Sequence, residues 1–373
     1  MPRLPHAKAL ATFSILSMLF LHAQFSDARA DDVADCLDGL GDTIIHGCSQ
    51  IIKSGRLLGK PISKTNLAVA YNNRGNAYRK KGDYDRAIAD LTQAIKLDPK
   101  IASAHTNRAN AYYDKGDFSH AIADFDEAIK LNPLGAVLYS NRGNAYHATG
   151  DFNHAIDDYS DAIRLNPNFA RAYTSRGNSH RKKGQYDRAI ADFDQTIALT
   201  PNDADAHNYR GLAYRMKGRY DRAIAEYSEA IRLNSKNSIV YFNRGSAYQA
   251  KGNHDRAIAD FDQAIRLNPG YVIAHNNRGG AYFNKGDYDS AIADYSEAIR
   301  LNSKFVDAYI NRAIAYEKIG QRDKAIADYQ KAIELRSGKK VKMNDPGYVP
   351  HLKARTAGSE SRRVLIEFRA YFA

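Results

Sequence analysis

Long apolar runs, cysteine and catalytic signatures are what this sequence has least of. The single apolar run, Ala9 to Leu21, is too short to span a bilayer comfortably, and no second run of spanning length follows in the 373 residues. Only two cysteines occur, Cys36 and Cys48, so one bridge is the most the chain can form. No His/Cys/Asp group has zinc-ligand spacing, and no phosphate-cradling loop, dinucleotide fingerprint or G-x-S-x-G elbow appears. No metal, no cofactor and no catalytic centre is therefore expected. Acidic residues are also in deficit, 42 against 54 basic ones, for a formal charge of +12. That excess suits an acidic partner, nucleic acid or an anionic surface, but does not choose among them.

What is present begins with an export pattern. Arg3 and Lys8 precede the apolar run, and Ala28-Arg29-Ala30 supplies small residues at a cleavage site, so residues 1–30 read as a signal peptide. A periplasmic or secreted location follows, with no transmembrane segment after cleavage. In such an oxidising compartment Cys36 and Cys48 are expected to form a disulfide.

From residue 68 one pattern dominates. Arg74, Arg108, Arg142, Arg176, Arg210, Arg244, Arg278 and Arg312 recur every 34 residues without a slip. Each sits in a variant of N-R-G-x-A-Y followed by K-G-D-Y-x-x-A-I-A-D-F-x-x-A-I-x-L-N-P. Every unit holds two helical stretches parted by a glycine, from Gly82 to Gly320, with Asp83, Asp117, Asp151 and Asp287 as candidate caps of the second stretch. Pro99, Pro133, Pro167, Pro201 and Pro269 punctuate the joints. Small residues mark a close helix crossing: glycine or alanine at Gly75 and its counterparts, alanine at Ala87 and its counterparts.

This pattern resembles the tetratricopeptide repeat family, and the resemblance implies an all-α fold, a right-handed superhelical solenoid of helix-turn-helix units. The units fall at 68–101, 102–135, 136–169, 170–203, 204–237, 238–271, 272–305 and 306–339. Residues 31–67 read as a degenerate capping repeat tied by Cys36 and Cys48, with Ile44, Ile45, Ile51 and Ile52 as its apolar face. Residues 340–373 read as a basic linker and a C-terminal helix whose apolar face is Val364, Leu365, Phe368, Tyr371 and Phe372.

Three sets of residues compete as a site. The arginines could form an anion-binding stripe, but an acid stands sixteen places after each one, from Asp90 to Asp328, so structural ion pairs are the expectation. His105, His207 and His275 replace a repeated tyrosine and read as packing variants of it. The asparagines need a reason, being mediocre helix formers. Asn73, Asn107, Asn141, Asn243, Asn277 and Asn311 precede the arginines, and Asn76, Asn110, Asn144 and Asn178 follow three places later, on the same helix face.

By resemblance these places line the concave groove of the superhelix, as in the repeat domain of O-GlcNAc transferase, where amides grip the backbone of an extended peptide. A dicarboxylate clamp of the chaperone type fits less well, because Thr106 and Ser175 stand where it needs cations. Ile239, Phe242, Ile273, Phe283, Ile310 and Ile314 suggest an apolar pocket in the later repeats. The expected function is a non-catalytic scaffold for a protein or extended peptide; a basic binder of nucleic acid or an anionic envelope polymer is the alternative.

Overall fold

A computed structural model of the chain describes residues 31–58 and 60–337. The expected signal peptide and the C-terminal linker and helix lie outside the described residues. Two compact units divide at Ser235 and Lys236.

The first unit opens with a short helix, α1, over residues 31–38. It is followed by α2 (Asp42–Ser54) and an antiparallel pair of two-residue strands, β1 (Arg56–Leu57) and β2 (Lys60–Pro61). A Cys36–Cys48 disulfide ties α1 to α2, and both cysteines are buried with Ile51 and Ala70. Five helix pairs come next: α3 (Lys64–Lys80) with α4 (Tyr84–Leu97), and α5 (Ala102–Lys115) with α6 (Phe118–Leu131). Then follow α7 (Ala136–Thr149) with α8 (Phe152–Leu165), and α9 (Ala170–Lys182) with α10 (Tyr186–Leu199). The last pair is α11 (Ala204–Met216) with α12 (Tyr220–Leu233).

The second unit carries α13 (Ser238–Ala250) with α14 (His254–Leu267), and α15 (Val272–Asn284) with α16 (Tyr288–Leu301). It ends on α17 (Val306–Lys318) and α18 (Arg322–Ser337). The chain is an all-α helical-repeat solenoid, as the period implied.

Local chemistry explains the hairpins. Gly116 closes α5 at φ +87°, a left-handed conformation that costs a residue with a Cβ but not glycine. Asp117 then starts α6, its carboxylate accepting from the His120 backbone N–H. Asp83, Asp151 and Asp287 cap α4, α8 and α16 in the same way, and Asn253 caps α14. At the crossing of α9 and α10, a Cβ on Gly177 would lie 2.8 Å from the Phe193 ring, so glycine lets the aromatic pack flat on the backbone. Leu91, Phe125, Tyr159, Phe193, Tyr227, Phe261, Tyr295 and Tyr329 occupy this place down the chain, all buried.

Two features depart from the sequence reading. The first repeat helix starts at Lys64 rather than residue 68, one turn early, because the Ser63 hydroxyl accepts from the Asn66 N–H and extends it. Between α2 and α3 lies the small β-hairpin, which no periodicity announced; its strands are two residues each, too short for an alternating pattern to register.

Candidate functional site

Within each unit, first helices touch one another in succession. These contacts run α3 to α5, α5 to α7, α7 to α9 and α9 to α11, then α13 to α15 and α15 to α17. Second helices pack against the first helix of their own repeat and that of the next. The row of first helices is thus the tighter side of each unit, and residues on its face are drawn together.

Each repeated arginine is bound to its acid. In Arg142 the Nε and Nη2 atoms lie 2.9 and 2.6 Å from the two oxygens of Asp158, a two-pronged pair. Arg74, Arg108, Arg244, Arg278 and Arg312 repeat that fork on Asp90, Asp124, Asp260, Asp294 and Asp328. Arg176 holds Asp192, and Arg210 reaches Glu226 through Nη2 at 2.8 Å. Hydrogen bonding to Asp158 is the largest cause that holds the Arg142 guanidinium above its ordinary value.

The remaining Nη1 reaches backwards to the preceding second helix. Its acceptors are Ser49, Thr92, Asp126, Ser160 and Asp194 in the first unit, and Asp262 and Ser296 in the second. One side chain therefore fastens three helices. The expected structural pairs are present, and the stripe is spoken for. His105, His207 and His275 are buried beside the acids Asp124, Glu226 and Asp294, at 3.6, 2.9 and 3.6 Å.

The asparagines lie half-buried on the first-helix row, and several bond across it. Asn73 donates to the Cys36 carbonyl at 3.0 Å, Asn107 to Asn72 at 3.0 Å, Asn141 to Asn110 at 3.5 Å and Asn311 to Asn276 at 3.0 Å. Asn276 in turn donates to Asn277 at 3.4 Å. Asn144 accepts from the Tyr159 hydroxyl at 2.8 Å, while Asn76 and Asn178 accept from Arg79 and Arg181. Asn243 is itself buried. Part of their bonding capacity is thus used between repeats.

The six apolar residues do not converge into one pocket. Phe242 packs into the core around Phe261, with ring centroids 5.8 Å apart, and against Tyr271 at 5.1 Å. Phe283 belongs to the Tyr295 cluster, and Ile310 and Ile314 to the Tyr329 cluster. Ile239 and Ile273 alone are open, at 53% and 48% exposure. Sequence reading grouped them by residue type, whereas stacking assigns them to three successive cores.

Sequence reading also passed over the last turn of the first helices. Arg181 and Arg215 stand there without a carboxylate partner among the described residues, and the charges of both act on the buried Tyr227 hydroxyl. A place-by-place comparison of Arg79 and Asp114 with Arg181 and Met216 is the signal that marks them.

Among the described residues no His/Cys/Asp/Glu group could hold a metal ion, and no helix is long and apolar enough to cross a membrane. What remains is a helical-repeat solenoid in which paired helices pack in succession within each unit. Models of the tetratricopeptide repeat match residues 75–116, 109–150, 136–169, 174–238, 242–304 and 306–338, and the chain belongs to that family.

Among solved structures it is similar to a tetratricopeptide repeat protein from Parabacteroides merdae, at 19% identity and a TM-score of 0.53, covering 69% of this chain and 98% of that one. The C-terminal part of a repeat protein from Cytophaga hutchinsonii matches at 20% identity and a TM-score of 0.52, covering 62% of this chain and 95% of that one. MamA matches at 30% identity and a TM-score of 0.42, over 43% of this chain and 95% of its own. No curated protein matches the sequence.

Proposed function

We propose that the chain is a non-catalytic scaffold that holds an extended polypeptide along its first-helix row, using asparagine amides to bond the ligand backbone. The carrying observation is the spare capacity of those amides. Asn107, Asn110 and Asn141 each make one side-chain hydrogen bond within the protein, whereas an amide offers two donors and two acceptor sites. An extended peptide presents an N–H and a C=O at every residue, so such amides bind it with little regard for sequence. In the second unit Ile239 and Ile273 are the open apolar side chains on first helices, whereas Phe242 is committed to its own core.

Pairing of the eight arginines with acids argues against a phosphate-binding stripe, and so against the nucleic-acid reading. The buried disulfide supports an oxidising compartment, hence a periplasmic or secreted protein with residues 31–67 as its N-terminal cap.

The test is peptide binding to a panel of unrelated neutral peptides by fluorescence anisotropy. Replacing Asn107, Asn110 and Asn141 by alanine should weaken every peptide by a similar factor, about tenfold if each lost bond contributes about 0.5 kcal/mol. Asn144 is left intact, because its removal would orphan the Tyr159 hydroxyl. Unchanged affinities in the triple variant would refute the amide mechanism.

A further inference from the structure

The 34-residue period lets the same place be compared from repeat to repeat. In the first repeat, Arg79 on the last turn of α3 is paired, its Nη1 2.7 Å from Asp114 on α5. Three repeats later the same two places hold Arg181 on α9 and Met216 on α11. Arg181 has lost its acid; it bonds to the neutral Asn178 side chain of its own helix, at 3.3 and 3.1 Å. Arg215, the next cation in the row, makes no ion pair with a described residue, and its buried Nε has no hydrogen-bond partner.

Burial, with a further contribution from the Arg215 charge, lowers Arg181 below its ordinary value, so the two guanidiniums are held close at a cost in free energy. Lys182, exposed beside them, and Arg181 also disfavour the charged form of His147, after burial.

A third donor points the same way. In the third repeat the buried Tyr159 directs its hydroxyl to Asn144, on the first-helix face, at 2.8 Å. Tyr227 occupies that place in the fifth repeat and is fully buried, but Leu212 stands where Asn144 did. Its hydroxyl makes no well-formed hydrogen bond, although the Arg215 guanidinium adjoins it and the Arg181 charge also acts on it. Burial pushes it up to about 12, so it remains an O–H donor at neutral pH.

Resting on the scaffold reading above, we infer that Arg181, Arg215 and Tyr227 form a carboxylate-binding site, which takes an acidic side chain or the C-terminal carboxylate of the polypeptide held on the first helices. A carboxylate accepts from four directions, and charge-assisted bonds to guanidinium are about twice as strong as neutral ones. Bound there, it would relieve two unpaired cations and a poorly bonded hydroxyl together. None of the three residues is among the clamp places considered above. The site adds a preference for acidic ligands to an otherwise sequence-tolerant grip.

The test compares fluorescein-labelled hexaglutamate and hexaserine by anisotropy at physiological salt, on the whole chain. Hexaglutamate should bind at least about tenfold tighter. The double variant Arg181→Gln, Arg215→Gln should lose that preference while hexaserine affinity and melting temperature hold, because no acid loses a partner. Tyr227→Phe should weaken hexaglutamate severalfold. Equal hexaglutamate affinity for parent and double variant overturns the site, as does an arginine-dependent response to inorganic phosphate alone. If both peptides bind equally, the carboxylate site fails and the scaffold stands; if neither binds, both readings fail.

Discussion

Asp192 is 5% exposed and receives three bonds from Arg176, so the two side chains stand or fall together. Replacing Arg176 by alanine should destabilise the first unit by about 3 kcal/mol, since it strands a buried carboxylate. Chemical denaturation measures this directly; a stability within 0.5 kcal/mol of the parent would mean that Asp192 finds water instead. This pairing is legible in the sequence alone, because a sixteen-residue offset repeated eight times leaves few alternatives. The backward reach of Nη1 is not. Its acceptors vary among serine, threonine and aspartate, and a pattern that changes residue type from copy to copy does not register as one. The poorly bonded Tyr227 hydroxyl is equally hidden, since nothing in a tyrosine's surroundings along the chain says what its oxygen meets.

At the scale of the helix, Asp83, Asp117, Asp151, Asn253 and Asp287 cap second helices, whereas Gln185 and Arg219 supply no side-chain cap to α10 and α12. Arg219 precedes α12 with backbone angles of −87° and 65°, close to the −90° and 75° of Asp83 before α4, yet it offers no side-chain acceptor. Changing Arg219 to aspartate should therefore stabilise the first unit by about 1 kcal/mol. Thermal and urea unfolding would show it, and a loss of stability would mean that α12 begins under constraints unlike those of α4. Helix extents were predictable wherever glycine and proline bracket them. The start of α3 and the strands β1 and β2 were not, because there a single serine hydroxyl and a two-residue pairing decide the outcome. The apolar residues of the later repeats show the same limit: composition named them, and only stacking could tell the open Ile239 and Ile273 from the core-bound Phe242.

For the whole chain, stability is divided among neighbours, as in any linear array of repeats. Excising residues 136–169 would join Gly135 to Ala170, which holds the place of Ala136, and bring Arg176 behind α6 where Asp126 now bonds Arg142. The shortened protein should fold with unchanged helicity per residue and a urea m-value roughly one-eighth smaller, in proportion to the surface lost. Circular dichroism and urea titration check both, and an aggregated or molten product would show that the repeats are less alike than their joints suggest. The backward-reaching guanidinium carries a consequence for descent as well. Every seen acceptor behind it is a hydroxyl or a carboxylate, so almost any repeat can follow almost any other without stranding the cation. Unequal crossing-over between copies of the repeated DNA would then lengthen or shorten the protein by whole units, and each recombinant would inherit a working seam.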